Sequence, residues 1–169
     1  MKTVLWATLT ANGNYAQSSP EHPPKPEAFG DFVAQVREAG NFIVGRRTFE
    51  NMAAGGNGPF GDVDIVVVSQ KRDTIPGATV VSSPREALAY LSTKSYQTAL
   101  VGAGADLHNA FLSQGLVDEL IFNIAPVLEG KGLNLLLDQN QYQYRDVQLL
   151  GCQPLGGGVI QLRYAFSQA

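Results

Sequence analysis

Short apolar runs alternate with stretches of helical spacing through residue 115, and this alternation limits the fold more tightly than anything else in the chain. The runs are "TVLWATLTA" (3 to 11), "NFIVG" (41 to 45), "VDIVVVS" (63 to 69), Thr79 to Val81, and "TALVG" (98 to 102). Strands apolar on both sides belong in the interior of a covered sheet. Between them, Ala28, Phe29, Phe32, Val33 and Val36 recur at helical spacing over 27 to 40, and Gly40 closes that helix. "RRTFENMAA" (46 to 54) and "ADLHNAFLSQG" (105 to 115) read as further helices. So does "SPREALAYLS" (83 to 92), with a serine cap and Glu86 in its first turn. Strand–helix alternation predicts a mostly parallel sheet with helices on both faces. After residue 116 the pattern changes. "VDELIFNIAPVL" reads as a long strand. "YQYRDVQLLGCQ" and "GGGVIQLRYAF" read as an antiparallel hairpin at the sheet edge, turning through Pro154 to Gly158. The expectation is one α/β domain over 1–169.

Composition removes several classes of function. Apolar residues are 44% and charged residues 16%, as a globular chain requires. A net charge of −3 gives no basic surplus for nucleic acid. Cys152 stands alone, and His22 and His108 are far apart, so neither an internal disulfide nor a metal site is expected. No apolar run nears the roughly 20 residues that span a bilayer. The Met1 segment reads as a first strand rather than a signal peptide, and the expected location is the cytoplasm. "SSPEHPPKP" (18 to 26) holds four prolines and reads as a surface loop, a candidate lid. "GGNGPFGD" (55 to 62) reads as a second loop.

Open α/β sheets bind ligands at the carboxyl ends of their strands. Three such ends carry unusual chemistry. Gly45-Arg46-Arg47-Thr48 puts a helix start beside two guanidinium forks suited to phosphate. Ser69-Gln70-Lys71-Arg72 follows a buried strand with a hydroxyl, an amide and two cations. Gly102-Ala103-Gly104-Ala105 offers small residues that let backbone amides approach a pyrophosphate. Each has a plainer reading alone: a charged helix start, a polar loop, a tight turn. Together they sit at the same end of parallel strands.

The order of these segments resembles the dihydrofolate reductase superfamily, in the bacterial branch that includes the reductase domain of riboflavin biosynthesis. "TLTANGNYA" is similar to its first strand and turn, "IVGRRTFE" to its strand-glycine-arginine segment, and "DIVVVSQ" to the strand ending at the adenine ribose. "ALVGAGADLHNAFLSQGLVDELIFNIAPVLEGKG" is similar to that branch's most recognisable stretch. The resemblance implies a dihydrofolate reductase-like fold and a bound NADPH. It implies that Gly45, Gly102, Ala103, Gly104 and Ala105 cradle phosphate, with Asp106 and Leu107 continuing the helix. Arg46 and Ser69 would meet the 2′-phosphate. Arg47, Thr48 and Gln70 would line the adenosine channel. Ala7 and Tyr15 would flank the nicotinamide. The implied reaction is hydride transfer to a small pterin- or pyrimidine-like substrate. The reductase of the riboflavin pathway is one alternative, and a non-catalytic NADPH-binding module is another. A homodimer is implied as well.

The folate enzymes carry a carboxylate on their first helix. Glu27 and Asp31 are the candidates here. The Pro-Trp pair of the folate enzymes' first loop is replaced by "SSPEHPPKP", which argues against folate itself. Trp6 and Phe32 are candidate substrate contacts, with core packing the plainer reading. Phe29 reads as core, His108 as a surface or structural residue, and Cys152 as a packed thiol.

Overall fold

The structure, a computed structural model, describes every residue except 17, 18, 20, 54–59, 72, 73, 136–139, 168 and 169, and leaves out the side chains at 53 and 103. The expected lid at 18–26, the loop at 55–62 and Arg72 therefore lie wholly or partly outside the described residues.

The elements run β1 (Lys2–Thr10), α1 (Pro26–Ala39), β2 (Asn41–Gly45), α2 (Arg46–Ala53), β3 (Asp64–Val68), β4 (Thr79–Val81), α3 (Pro84–Ser92), β5 (Thr98–Ala103), α4 (Ala105–Ser113), β6 (Glu119–Ala125), β7 (Val147–Gly156) and β8 (Val159–Phe166). They build an eight-stranded sheet in the order β4-β3-β2-β5-β1-β6-β8-β7. The neighbouring pairs from β4 through β6 are parallel, and β8 and β7 close the sheet antiparallel. The α/β expectation holds, with the hairpin at the edge. Alternate residues of β1 explain the doubly covered sheet. Val4 and Trp6 join Phe32 and Val36 of α1 in one core cluster, while Leu5 and Ala7 join Leu107 and Phe111 of α4 in the other. Among the described residues no helix is long and apolar enough to cross a membrane.

Local chemistry sets the element ends. Pro26, counted in sequence with the loop, opens α1 instead. A proline suits a first helical turn because its missing N–H has no partner there anyway. Gly40 ends α1 at φ 69° and donates its N–H to Val36 O. The α1 stripe that meets the sheet is Ala28, Phe32 and Val36. Phe29 falls beside that stripe and is 42% exposed, so it is not core. At α3, Ser83 Oγ accepts from the Glu86 amide at 3.2 Å. The Glu86 carboxylate returns to Ser82, accepting from its N–H at 2.9 Å and its hydroxyl at 2.6 Å. This is a capping box displaced by one residue.

The C-terminal third departs most from expectation. β6 stops at Ala125, because Pro126 cannot continue the ladder. Tyr142 and Tyr144 precede β7 and are exposed. Pro154 lies inside β7 rather than in the turn, next to a register shift, as an edge strand permits. The turn is Gly157-Gly158 alone, at φ 58° and 80°, which is the two-residue type that left-handed backbone allows. Cys152 is exposed on this edge strand, not packed, because no element covers it there. His108, by contrast, is completely buried.

Candidate functional site

The three motifs end adjacent strands. β3, β2 and β5 are neighbours in the parallel part of the sheet, so Ser69, Arg46 and the glycine turn meet at one edge. Arg46 reaches from the start of α2 across to the β3 end. Its guanidinium donates to Ser69 Oγ at 3.4 Å and to Lys71 O at 3.5 Å, and its Nε to Glu50 at 2.8 Å. Ser69 Oγ also accepts from the Lys71 amide at 3.1 Å. Gln70 turns away from the motif and donates to Ser82 O at 3.1 Å. Arg47 bridges to Asp106 on the first turn of α4, at 2.9 Å. Both partners are largely exposed, so this pair orients two helix starts but adds little stability.

The glycine turn separates into two kinds of glycine. Gly102 stands at a register shift between β2 and β5. A Cβ there would stand 2.8 Å from the ring of Phe32. Its smallness is therefore spent on packing. Gly104 caps α4 at φ 99°, a backbone that L side chains avoid, and a Cβ there would stand 3.3 Å from Thr48 Oγ1. Ala105 and Leu107 bury their side chains, so they can meet a ligand only through their amides. Among the described residues, apart from its chain neighbours, nothing lies within 4 Å of where a Cβ of Gly45 would be. Open space beside Gly45, two guanidinium groups and the first-turn amides of α4 fit a dinucleotide's phosphates.

Ala7 lies on central β1 with its methyl in the core, which leaves its backbone alone for a ring. Tyr15 does come to the turn, since its phenol accepts from the Gly104 amide at 3.3 Å. Burial pushes that phenol up to about 12, against the opposing pull of the Gly104 bond.

Asp31 occupies the other face of β1. Its Oδ2 accepts from Trp6 Nε1 and from Asn123 Nδ2, both at 2.8 Å, and its Oδ1 from Gln35 at 3.3 Å. A carboxylate half-buried between α1, β1 and β6 is thus fixed by one oxygen, and its second oxygen is only weakly engaged. Glu27 lies one helical turn earlier but rests against the hairpin turn at Gly156 and Gly157. The two acids are not brought together in one site. Phe32 is core, stacked among Trp6, Phe42 and Phe60, and it presents no ring to a cleft.

Asn123 and Gln161 escaped the sequence reading, and His108, read as a surface or structural residue, is fully buried. Asn123 was visible as the only polar residue inside "LIFNIA", and Gln161 pairs with it between β6 and β8. Both are buried, and Gln161 accepts from Gln153 at 3.0 Å. The described residues hold no metal-binding cluster. A depression of about 470 Å³ lined by Met1, Lys2, Asp118, Glu119 and Phe166 lies at the opposite, amino ends of the strands and takes no part in this site.

Comparisons with known proteins bear on the family and the fold. Residues 7–161 match the sequence family described as the RibD C-terminal domain. No curated protein sequence matches the chain. Among solved structures, RibD of Acinetobacter baumannii superposes with a TM-score of 0.78 at 21% identity, over 99% of this chain and 58% of that one. The chain thus spans little more than half of that RibD. A pyrimidine reductase-like protein of Corynebacterium diphtheriae gives a TM-score of 0.73 at 16% identity, over 99% and 92% of the two chains. A Shewanella sp. PV-4 protein whose name places it in riboflavin biosynthesis gives 0.76 at 16% identity, over 99% and 100%. At such identities the structural likeness speaks for the fold, while the sequence match speaks for the family. The chain belongs to the RibD C-terminal domain family.

Proposed function

We propose that the chain is an NADPH-dependent reductase acting on a small heterocycle, pterin- or pyrimidine-like. The phosphoribosylamino-pyrimidine of riboflavin biosynthesis is the first substrate to try. The observation that carries this reading is the meeting of Arg46, Ser69 and the Gly104 turn at one edge of three adjacent parallel strands. Arg46 and Ser69 would hold a 2′-phosphate, for which a guanidinium fork and a hydroxyl are suited. Arg47 and Thr48 would border the phosphates, with the α4 amides facing them. When bound, the cofactor supplies the hydride, and the protein supplies orientation and electrostatics.

Asp31 is the group best suited to hold a substrate. Trp6 and Asn123 fix its Oδ2, which leaves Oδ1 to accept from a ring N–H and to polarise the bond being reduced. This arrangement favours catalysis over a module that only senses nucleotide, since such a module needs no held carboxylate. Glu27 is set aside for this role by its place at the hairpin. Lys25, just before α1, and Lys131, just after β6, are cations that this end would offer a substrate phosphate.

The test is NADPH oxidation with the pyrimidine phosphate and, separately, with a dihydropteridine. Turnover with one of them should fall by about 100-fold or more in Asp31→Asn, the range for losing an acid–base group. Saturable NADPH binding with no turnover of either substrate would favour the sensing module instead.

A further inference from the structure

Partly buried Tyr15 and fully buried His108 meet behind the glycine turn, and neither the family match nor the cofactor motifs assign the contact between them. Tyr15 sits on the loop between β1 and α1. That loop is pinned by backbone bonds from Tyr15 N to Leu133 O at 2.7 Å and from Ala16 N to Thr8 O at 2.9 Å. His108 comes from the second turn of α4. Its Nδ1 lies 3.3 Å from the Tyr15 hydroxyl, which in turn lies 3.3 Å from the Gly104 amide.

The Gly104 N–H can only donate, so it takes one lone pair of the phenol oxygen. The phenol proton and its second lone pair leave two ways to join His108 Nδ1, set by the ring tautomer. In one of them the phenol donates to an unprotonated Nδ1, and the ring's proton resides on Nε2. The ring is neutral, because burial drives its pKa down to about 3 and the Val101 carbonyl offsets that only partly. Nε2 has no hydrogen-bond partner among the described residues. A leucine would fill this interior without leaving a polar atom unpaired, so the histidine is explained by its bond to Tyr15 rather than by packing.

We infer that Tyr15 and His108 are positioning residues: the relay Gly104 N–H to Tyr15 O–H to His108 Nδ1 sets the start of α4 and ties it to the loop after β1. The Gly104 amide is satisfied inside the protein, and the amides of Ala105 to Leu107 are what remain for a phosphate. This rests on the cofactor reading above. It means that the loop proposed to flank the nicotinamide and the turn proposed to hold the pyrophosphate move as one unit.

The experiment pairs a binding series with a structural readout. Affinity for NADPH and NADH is read from energy transfer from Trp6 in wild type, Tyr15→Phe, His108→Leu, His108→Gln and Tyr15→Phe/His108→Leu. Tyr15→Phe and His108→Leu should each weaken both nucleotides about tenfold, the worth of one hydrogen bond at the upper end of its range. The NADPH-to-NADH preference should hold, because Arg46 and Ser69 are untouched. His108→Gln, whose carbonyl can accept the phenol proton, should recover most of the loss. The double variant should be no worse than either single one, as expected of a unit. A folded Tyr15→Phe protein that binds like wild type, or single effects that add in the double variant, would overturn the inference. A long-range ¹H–¹⁵N spectrum of the free protein should show Nδ1 as the unprotonated nitrogen of His108. A proton on Nδ1 would overturn the relay whatever the nucleotides do. Failure of wild type to bind any nucleotide, with the expected tautomer present, would instead strike the cofactor reading and remove the relay's proposed purpose.

Discussion

Gly102 and Gly104 look alike in sequence and do different work. Gly102 makes room for Phe32, so Gly102→Ala should cost about 1–3 kcal/mol in urea unfolding as an overpacked core, and Phe32→Leu should return part of it. Gly104 is required by its backbone, so Gly104→Ala should cost about 1–2 kcal/mol and weaken nucleotide binding as well. No reading of "GAG" alone could assign these roles, because one depends on a ring 70 residues earlier (102 − 32) and the other on a φ angle. Tyr15 and His108 make a residue-scale prediction in pH. The folded pKa of His108 is depressed to about 3, below its ordinary 6.5. The unfolded chain therefore binds the extra proton first. Stability from this ring is whole above pH 6.5 and is lost as pH falls from there toward 3, with a slope near 1.4 kcal/mol per pH unit for one proton. Tyr15 behaves oppositely, since its pKa is raised from 10 to about 12. Its contribution is whole below pH 10 and lost as pH rises toward 12. Urea unfolding across pH should show both limbs. His108→Gln should flatten the acid one, and an unchanged acid limb in that variant would contradict the assignment.

At the scale of elements, strong local periodicity carried most of the fold. β2 has the same bounds in the structure as in the sequence reading, because Gly40 and Gly45 bracket four buried residues. The α3 cap was likewise legible from Ser83 and Glu86, and Ser83→Ala should cost about 1 kcal/mol by thermal or urea unfolding. The failures have physical causes. Proline reads as a breaker, yet Pro26 begins a helix and Pro154 sits in an edge strand, where a missing N–H costs nothing. The hairpin turn was read too long because Pro154 and the three glycines Gly156 to Gly158 hide which two residues make the turn. The Asp31 network was beyond reach in sequence. It needs Trp6, Asn123 and Asp31 from three elements, and only the sheet order brings β6 beside β1 and α1 over both.

At the scale of the molecule, two surfaces remain to be matched with partners. The β7–β8 hairpin exposes Val147, Leu149, Leu150 and Ile160 along the sheet's edge. Exposed apolar edge strands are pairing surfaces. We propose that the homodimer implied by the sequence resemblance forms through this edge, so sedimentation should give a dimer, and Leu149→Lys/Ile160→Lys should give a folded monomer. A wild-type chain that stays monomeric at high concentration would remove that proposal. The second surface is the edge where β3, β2 and β5 finish, proposed to bind NADPH through Arg46. Excite Trp6 and titrate with NADPH and then NADH, following energy transfer to the reduced ring. The account predicts saturable transfer with NADPH, weaker transfer with NADH, and loss of that difference in Arg46→Ala. Folded protein that shows no saturable change with either nucleotide would contradict it.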